Sequence, residues 1–431
     1  MGGDAKKRDA GLPEGWSIRP LGDLCIGKGE YGANVPKASF DPLLPRYVRI
    51  TDITPTGRLR IDDPASINEQ DAAPHLLRPG DVLLARSGAT VGKSYVHDAP
   101  HGRFAHAGYL IKFRPSPSLL LPNYFRHYLQ SHEYWNWIRE SQRAQAQPNI
   151  NAAEYANLRI PVPPLGEQRK IGAILSSVDD TIEATQAVID QLQVVKKAIM
   201  AELLTRGLPG RHKRFKKTEL GEMPEEWAVR SLQELVAAGT MITYGIVQAG
   251  PHVEGGVPYI KTGDVKDNGI DIRTLSRTSS EIAAKYRRSE VRAGDLVVCI
   301  RASVGAVVQI PEELDGANLT QGTARISPHA DVESRYLLWA IRSAPFQYWL
   351  GMQCKGSTFR EITLARLREA PIAIPSRPEQ AAIASALDYV EHSVFSEQAV
   401  LDGLRTTKSA LLSALLTGEI RVTLDPDEAS P

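Results

Sequence analysis

Two stretches of the chain share a hydrophobic period that the rest lacks. From Glu167 to Thr205 there is no proline, and apolar residues recur at alternating steps of four and three: Ile171, Leu175, Val178, Ile182, Ile189, Leu192, Ile199 and Leu203. The pattern returns as Ile383, Leu387, Val390, Val394, Leu401, Leu404, Leu411 and Leu415. This is the heptad seam of a coiled coil, and it predicts a long helix over each stretch. At 1.5 Å per residue, about 40 residues make a rod of roughly 60 Å, longer than a domain needs for its own core. Two equivalent stripes in one chain are therefore expected to cover each other, packed antiparallel about an approximate two-fold axis. Both seams are interrupted at matching places, Thr185 with Glu397 and Lys196 with Lys408. A polar residue in such a position sets register or orientation, unless the lysines snorkel out of the seam.

In front of each helical stretch lie short β-branched runs, such as Tyr47 to Ile50, Val82 to Leu84 and Leu296 to Ile300, broken by Gly, Pro and Asp. They predict a mixed, strand-dominated domain. The whole arrangement is written twice, with a period of about 212 residues, far longer than a solenoid repeat. Leu12-Pro-Glu-Gly-Trp16 returns as Met223-Pro-Glu-Glu-Trp227, Tyr31-Gly32 as Tyr244-Gly245, and Tyr47-Val-Arg-Ile-Thr-Asp52 as Tyr259-Ile-Lys-Thr-Gly-Asp264. Residues 160–206 set without gaps against 372–418 give 17 identities in 47 positions, where composition alone gives about 3. The predicted fold is α+β: two tandem mixed α/β domains, each followed by a long helix, the helices packing as an antiparallel coiled coil with pseudo-two-fold symmetry. The expected boundaries are 1–165 and 223–378 for the domains and 166–208 and 379–420 for the helices, with a basic linker at 209–222 and a tail at 421–431. The linker region carries Arg211, Lys213, Arg214, Lys216 and Lys217, a solvated connection or a contact to a nucleic-acid backbone.

Composition narrows the function. The chain has 431 residues, 42% of them apolar and 23% charged, which is a globular rather than a disordered balance. With 51 Lys+Arg against 50 Asp+Glu the net charge is +1, so any contact to DNA must be local and shaped. Cys25, Cys299 and Cys354 are odd in number and far apart, which predicts neither a disulfide framework nor a zinc site. With no signal-peptide core and no apolar run of membrane-spanning length, a cytoplasmic protein without a membrane contact is expected.

Several motifs mimic catalytic or nucleotide-binding signatures. Gly27-Lys-Gly29-Glu-Tyr-Gly32 has the letters of a dinucleotide loop, but Pro36 follows where a helix should start. Gly88-Ala-Thr-Val-Gly92-Lys93-Ser94 is one residue short of a phosphate loop, and the second copy lacks the lysine. His97, His101 and His106 have ligand-like spacing that the second copy does not repeat, so no metal site is assigned. No nucleophile elbow, zinc-protease, adenine-methyltransferase or helicase motif occurs, and no catalytic residue is assigned. The remaining candidates are polar segments just before the helices, with Arg143, Gln145, Gln147 and Asn149 in the first copy and Lys355, Ser357, Thr358 and Arg360 in the second. Such side chains read base edges and grip phosphates, the alternative being a plain surface loop. Arg86 with Ser87, and Arg301, follow the repeated Gly-Asp strands at almost the same place and join the list.

The Leu-Pro-Glu-Gly-Trp opening, Tyr259-Ile-Lys-Thr-Gly-Asp264, Gly294-Asp-Leu-Val-Val-Cys-Ile-Arg-Ala-Ser-Val-Gly305, and Pro161-x-Pro-Pro-Leu-Gly-Glu-Gln168 before a long helix carry a resemblance. The sequence resembles the specificity subunit of type I restriction-modification systems over essentially its full length. The resemblance implies two target-recognition domains, each reading half of a bipartite site in double-stranded DNA, with the helices as a spacer of fixed length. It also implies assembly with two modification subunits that bind S-adenosylmethionine and methylate adenine N6. Restriction subunits would add ATP- and Mg-dependent translocation and cleavage. The chain itself would bind no cofactor. The alternatives are a solitary or fused DNA-modifying enzyme, or a coiled-coil scaffold for proteins.

Overall fold

A computed structural model describes residues 12–60, 62–98, 102–142, 149–356 and 360–424. The chain forms two compact units, Met1–Gln186 with Val400–Pro431, and Ala187–Ala399. The division falls inside both long helices, not at their ends, because each helix packs its first half and its second half into different cores.

The first unit contains strands β1 (Ser17–Pro20), β2 (Glu30–Tyr31), β3 (Arg46–Val48), β4 (Val82–Ala85), β5 (Ser94–Val96), β6 (Phe104–His106), β7 (Leu110–Phe113) and β8 (Arg159–Val162). Its helices are α1 (Glu69–Ala72), α2 (Pro122–Tyr128), α3 (His132–Gln142), α4 (Ala152–Ala156) and the start of α5 (Leu165–Leu203). An antiparallel sheet runs in the order β2-β7-β4-β5, β3 lies parallel to β6, and β1 pairs with β8. The central strand β4 reads Val-Leu-Leu-Ala and is buried throughout, as a strand covered on both faces requires.

The second unit repeats this plan. It contains β9 (Phe215–Thr218), β10 (Gly221–Pro224), β11 (Ala228–Ser231), β12 (Thr243–Tyr244), β13 (Val257–Ile260), β14 (Arg277–Thr278), β15 (Leu296–Cys299), β16 (Val307–Gln309), β17 (Asn318–Leu319), β18 (Thr323–Ile326) and β19 (Pro371–Ile374). Its helices are α6 (Ser280–Lys285), α7 (Ser334–Arg342), α8 (Ala344–Gln353), α9 (Leu364–Arg368) and the start of α10 (Arg377–Thr417). The sheet order β12-β18-β15-β16, the parallel pair β13/β17 and the pair β11/β19 match the first unit strand for strand.

In the first unit Ile171 and Leu175, near the start of α5, share a core with Leu412, Leu415 and Leu416, at the end of α10. In the second, Ile383 and Leu387 at the start of α10 share a core with Leu203 and Leu204 at the end of α5. Start meets end in both units, so the helices pack antiparallel. Of the seam positions, Ile171, Leu175, Ile189, Leu203, Ile383, Leu387, Val394, Leu401 and Leu415 are buried, and Val178, Ile182, Leu192, Ile199, Val390, Leu404 and Leu411 half-buried. The interrupting lysines do not snorkel away: Lys196 Nζ lies 3.0 Å from Glu391 Oε1, and Lys408 Nζ 2.6 Å from Asp179 Oδ1. Each reaches from one long helix to the other. Among the described residues no helix is long and apolar enough to cross a membrane.

The helices start a residue or two before the expected boundaries and end three to five residues before them. Pro378 sits in the first turn of α10, where its missing N–H costs nothing, so the helix begins ahead of it. At the other end Gly418 takes φ 77°, and the Ile420 N–H returns to the Ala414 carbonyl at 3.1 Å, closing the helix. The basic connection also differs from a plain solvated linker, because β9 and β10 form a hairpin within it. Three of its five cations have acceptors inside the unit: Arg211 lies 3.5 Å from Glu379, Arg214 3.0 Å from Glu225, and Lys216 Nζ donates to the Glu225 carbonyl at 2.9 Å.

The opening tryptophan and the Glu-Gln pair of each copy meet at the helix start. Trp16 Nε1 donates to Glu167 at 3.2 Å, and Trp227 Nε1 to Glu379 at 3.3 Å. Both carboxylates are buried and also take a cation from beyond the end of the other long helix, Arg421 for Glu167 and Arg211 for Glu379; His212 Nε2 adds a contact of 2.8 Å to Glu379. Next to them, Gln168 Nε2 donates to the Leu119 and Pro163 carbonyls (2.9 Å each), while its Oε1 accepts the Leu121 N–H at 2.8 Å. Gln380 does the same with the Pro375 carbonyl and the Glu333 N–H.

Two outcomes follow from this packing. Leu192→Glu combined with Leu404→Glu places two charges at half-buried seam positions and should cost about 3–5 kcal/mol, read as a lower urea midpoint. Unchanged stability would contradict the seam. Burial also pushes His106 and His127 down to about 4 from 6.5; at His127 the nearby Asp179 opposes the shift while Lys408 and Arg126 reinforce it. Both imidazoles fold neutral, whereas the unfolded chain takes up their protons below about pH 6.5. Their contribution is therefore complete above that pH and lost as pH falls toward 4, by about 1.4 kcal/mol per pH unit for each histidine. Urea titrations at pH 7.5 and 5.0 check this, and His127→Gln should shallow the slope.

Candidate nucleic-acid interface

In the first unit the chain leaves β4 at Ala85 and enters a Gly/Ser-rich turn, where Ser87 bridges to Asn149. The backbone of Arg86 is fixed on both sides: its N–H donates to the Tyr109 carbonyl at 3.0 Å, and its carbonyl accepts the Ile150 N–H at 2.8 Å. The side chain extends to Asn149, with Nε 3.4 Å from Oδ1, and the guanidinium lies 4.8 Å from the centre of the Tyr31 ring. Tyr31 is held in turn by the Ala152 N–H, which donates to its hydroxyl at 3.2 Å. A half-buried cation thus rests on a tyrosine that is 42% exposed, beside Tyr109, which is 58% exposed. A planar guanidinium oriented this way suits a bidentate acceptor or a stacked base.

The second unit has different chemistry at the same edge. Arg301 Nε pairs with Glu361 at 3.2 Å, both side chains half exposed. Glu361 exchanges backbone hydrogen bonds with Lys355 (2.9 and 3.1 Å), and the Arg360 carbonyl accepts the Ala302 N–H at 3.0 Å. Lys355, Arg360 and Arg301 therefore converge on one exposed edge. Arg301 lines two adjoining hollows of about 280 and 420 Å³, to which Tyr244, Lys261, Thr262 and Gln321 contribute.

Arg86 and Arg301 stand at almost the same place, one residue apart along the repeated strand. The Ile362 N–H bonds the Ile300 carbonyl at 3.0 Å, as the Ile150 N–H bonds that of Arg86. The counterpart of Arg86 is the buried Ile300, and Arg301 stands where Ser87 stands. A slip of one residue along extended backbone turns a side chain to the other face. Asn149 answers to Glu361, so an amide in one unit is a carboxylate in the other. Arg143, Gln145, Gln147, Ser357 and Thr358 lie outside the described residues.

Sequence reasoning missed Tyr31, Tyr109, Tyr244, Lys261 and Gln321. The repeated Tyr-Gly pair was the available signal. A Cβ on Gly32 would overlap the carbonyl oxygens of His106 and Ala107, and one on Gly245 that of Leu319. Glycine is needed for this close backbone approach, which sets the preceding tyrosine at the edge. Tyr109 and Gln321 lie in turns where the copies share no letters, and nothing marked them.

The mimic motifs have structural roles. After Gly92 the chain enters β5, not a helix, and Lys93 Nζ donates to the Ile53 carbonyl at 3.2 Å. His106 faces the His75 and Glu30 carbonyls with its two ring nitrogens, and His97 contacts the Tyr95 hydroxyl at 3.2 Å; His101 lies outside the described residues. Among the described residues no cluster of three or more His, Cys, Asp or Glu could hold a metal.

A family model described as the type I restriction modification DNA specificity domain matches residues 13–194 and again 224–404. The chain is 28% identical over 429 residues to a Methanocaldococcus jannaschii protein named as the type I restriction enzyme MjaX specificity subunit, covering 97% of this chain and 96% of that one. It is 27% identical to the MjaVIII specificity subunit of the same organism, over 80% of each. The crystal structure of a type I restriction-modification system S subunit from M. genitalium superposes with a TM-score of 0.61 at 15% identity, covering 94% of this chain and 96% of that one, so the fold is shared. Two matched copies, each closing on a long helix and each bearing a polar edge of its own, leave one assignment: the chain belongs to the family of type I restriction modification DNA specificity domains.

Proposed function

We propose that this chain is the DNA sequence-specificity subunit of a type I restriction-modification complex. Each unit reads one half of a bipartite site in double-stranded DNA, and the paired helices hold the halves at fixed spacing. The observation that carries this reading is the duplication itself: one recognition fold occurs twice, while the edge side chains differ, Arg86 with Asn149 against Arg301 with Glu361. A guanidinium beside an amide in one unit and a guanidinium beside a carboxylate in the other suit different bases.

The chain works without a catalytic site of its own. Two modification subunits, carrying S-adenosylmethionine, supply adenine-N6 methylation, and restriction subunits supply ATP- and Mg-dependent cleavage. The apolar side chains left exposed on the long helices of the second unit, among them Tyr389 (75%) and Val194 (61%), offer such partners a helical surface. The net charge of +1 fits weak DNA binding by the chain alone, with the partners completing the clamp. A cytoplasmic site of action accords with this role.

The test is methylation by the complex assembled with its modification subunits. Arg86→Ala should slow methylation of the native target about tenfold, within the roughly 1–3 kcal/mol of a base contact, and relax discrimination in one half of the target. Arg301→Ala should relax the other half. Relaxation of the same half by both, or of neither, would contradict the assignment of one unit to each half.

A further inference from the structure

The lysine pairs that join the long helices also meet the recognition domains, and the two junctions are built differently. In the second unit Arg335, Trp339 and Arg342 share one face of α7, at spacings of four and three. Arg335 Nε lies 3.1 and 3.0 Å from the two carboxylate oxygens of Asp388, and Trp339 Nε1 donates to the same carboxylate at 2.7 Å. Arg342 Nη1 and Lys196 Nζ converge on Glu391 Oε1 at 2.9 and 3.0 Å. Both cations also lie 5.2 Å from the Trp339 ring centre. Asp388 and Glu391 belong to α10 and Lys196 to α5, so one junction ties the recognition domain to both long helices.

The first unit keeps the helix-to-helix pair and changes the rest. At the positions 212 residues apart stand Asn123 for Arg335, His127 for Trp339, Gln130 for Arg342 and Ser176 for Asp388. Lys408 pairs with Asp179 and donates to Gln130 Oε1 at 2.6 Å. Ser176 Oγ donates to Asn123 at 3.1 Å and meets His127 Nε2 at 3.1 Å. The buried His127 Nδ1 has no hydrogen-bond partner among the described residues, and the nearest Asp179 oxygen is 3.8 Å away. Two guanidiniums grip two carboxylates in one junction; neutral amides, a hydroxyl and an imidazole stand in for them in the other, where Arg58 reaches Glu183 of α5 at 3.0 Å only as a solvent-exposed pair, which holds an orientation weakly. Charge-assisted, bidentate contacts define an orientation more sharply than neutral ones.

We propose that Arg335 and Arg342 are positioning residues that clamp the second recognition domain to its helices, while the first domain, lacking them, rocks on its own. The inference rests on the specificity-subunit reading. The second domain thereby sets the stringency of half-site spacing, and the first absorbs what variation is tolerated. A change of one base pair moves a half-site by about 3.4 Å along the duplex and about a tenth of a turn around it, which a clamped domain cannot follow.

The test uses the full chain assembled with its modification subunits, and methylation of targets with native spacing and with one base pair added or removed. The combined variant Arg335→Asn, Arg342→Gln, Asp388→Ser installs the residues with which the first unit folds and removes charges of both signs. It should keep the native rate within about twofold while the native-to-altered ratio falls at least fivefold. The reverse variant, Asn123→Arg, Gln130→Arg, Ser176→Asp, should raise that ratio, which a merely destabilised domain cannot do. Ratios unchanged in both variants would overturn the proposal. No spacing-dependent methylation by the unmodified complex would overturn the specificity reading instead.

Discussion

A buried glutamate in the first turn of each long helix is the constraint on which the rest depends. Glu167 and Glu379 are taken out of water, and a buried carboxylate is tolerable only when paired and hydrogen-bonded. Each is satisfied by three parts of its unit at once: the indole of the opening motif, the helix start, whose dipole favours negative charge, and a cation from beyond the end of the other helix. The adjoining glutamine fastens the loops that lead into α2 and α7. Removing either the indole or the cation leaves a buried carboxylate with fewer partners than it needs, so opening motif, helix start and helix tail are energetically coupled in each unit.

That shared frame lets the polar edges diverge. The sheet order, the parallel strand pair and the glutamate hub are the same in both units. What differs lies at the ends of β4 and β15 and in the segments that return toward α4 and α9. Arg86 rests on a tyrosine beside an amide, and Arg301 is paired with a carboxylate. A scaffold duplicated with unlike edges suits the reading of two unlike sequences. The junctions to the helices have diverged as well: the two guanidinium–carboxylate grips of the second unit give way in the first to amides, a hydroxyl and an imidazole beside the shared lysine pair, so stiffness as well as chemistry distinguishes the two.

Much of the architecture was legible because it obeys periodicity. The heptad spacing marked both helices and their seam, and the internal repeat implied two like domains. The lysine interruptions marked a polar feature, but its partners could not be named: Asp179 and Glu391 lie outside the seam, and pairing across helices depends on three-dimensional register. The hub was visible as the Trp and Glu-Gln motifs without its purpose, since those residues stand more than 150 positions apart. The edge was the least legible part. Arg86 and Arg301 were found by their place after a repeated strand, yet a one-residue slip separates them structurally. Tyr109 and Gln321 carried no pattern at all.

The central claim is that this chain directs modification to a split DNA sequence. Single-molecule sequencing of N6-methyladenine in the host genome, with the gene intact and with it deleted, tests this most directly. The account predicts that one bipartite motif with a fixed gap loses its methylation on deletion while all other methylated motifs persist. An unchanged methylation pattern in cells shown to express the modification subunits would contradict it.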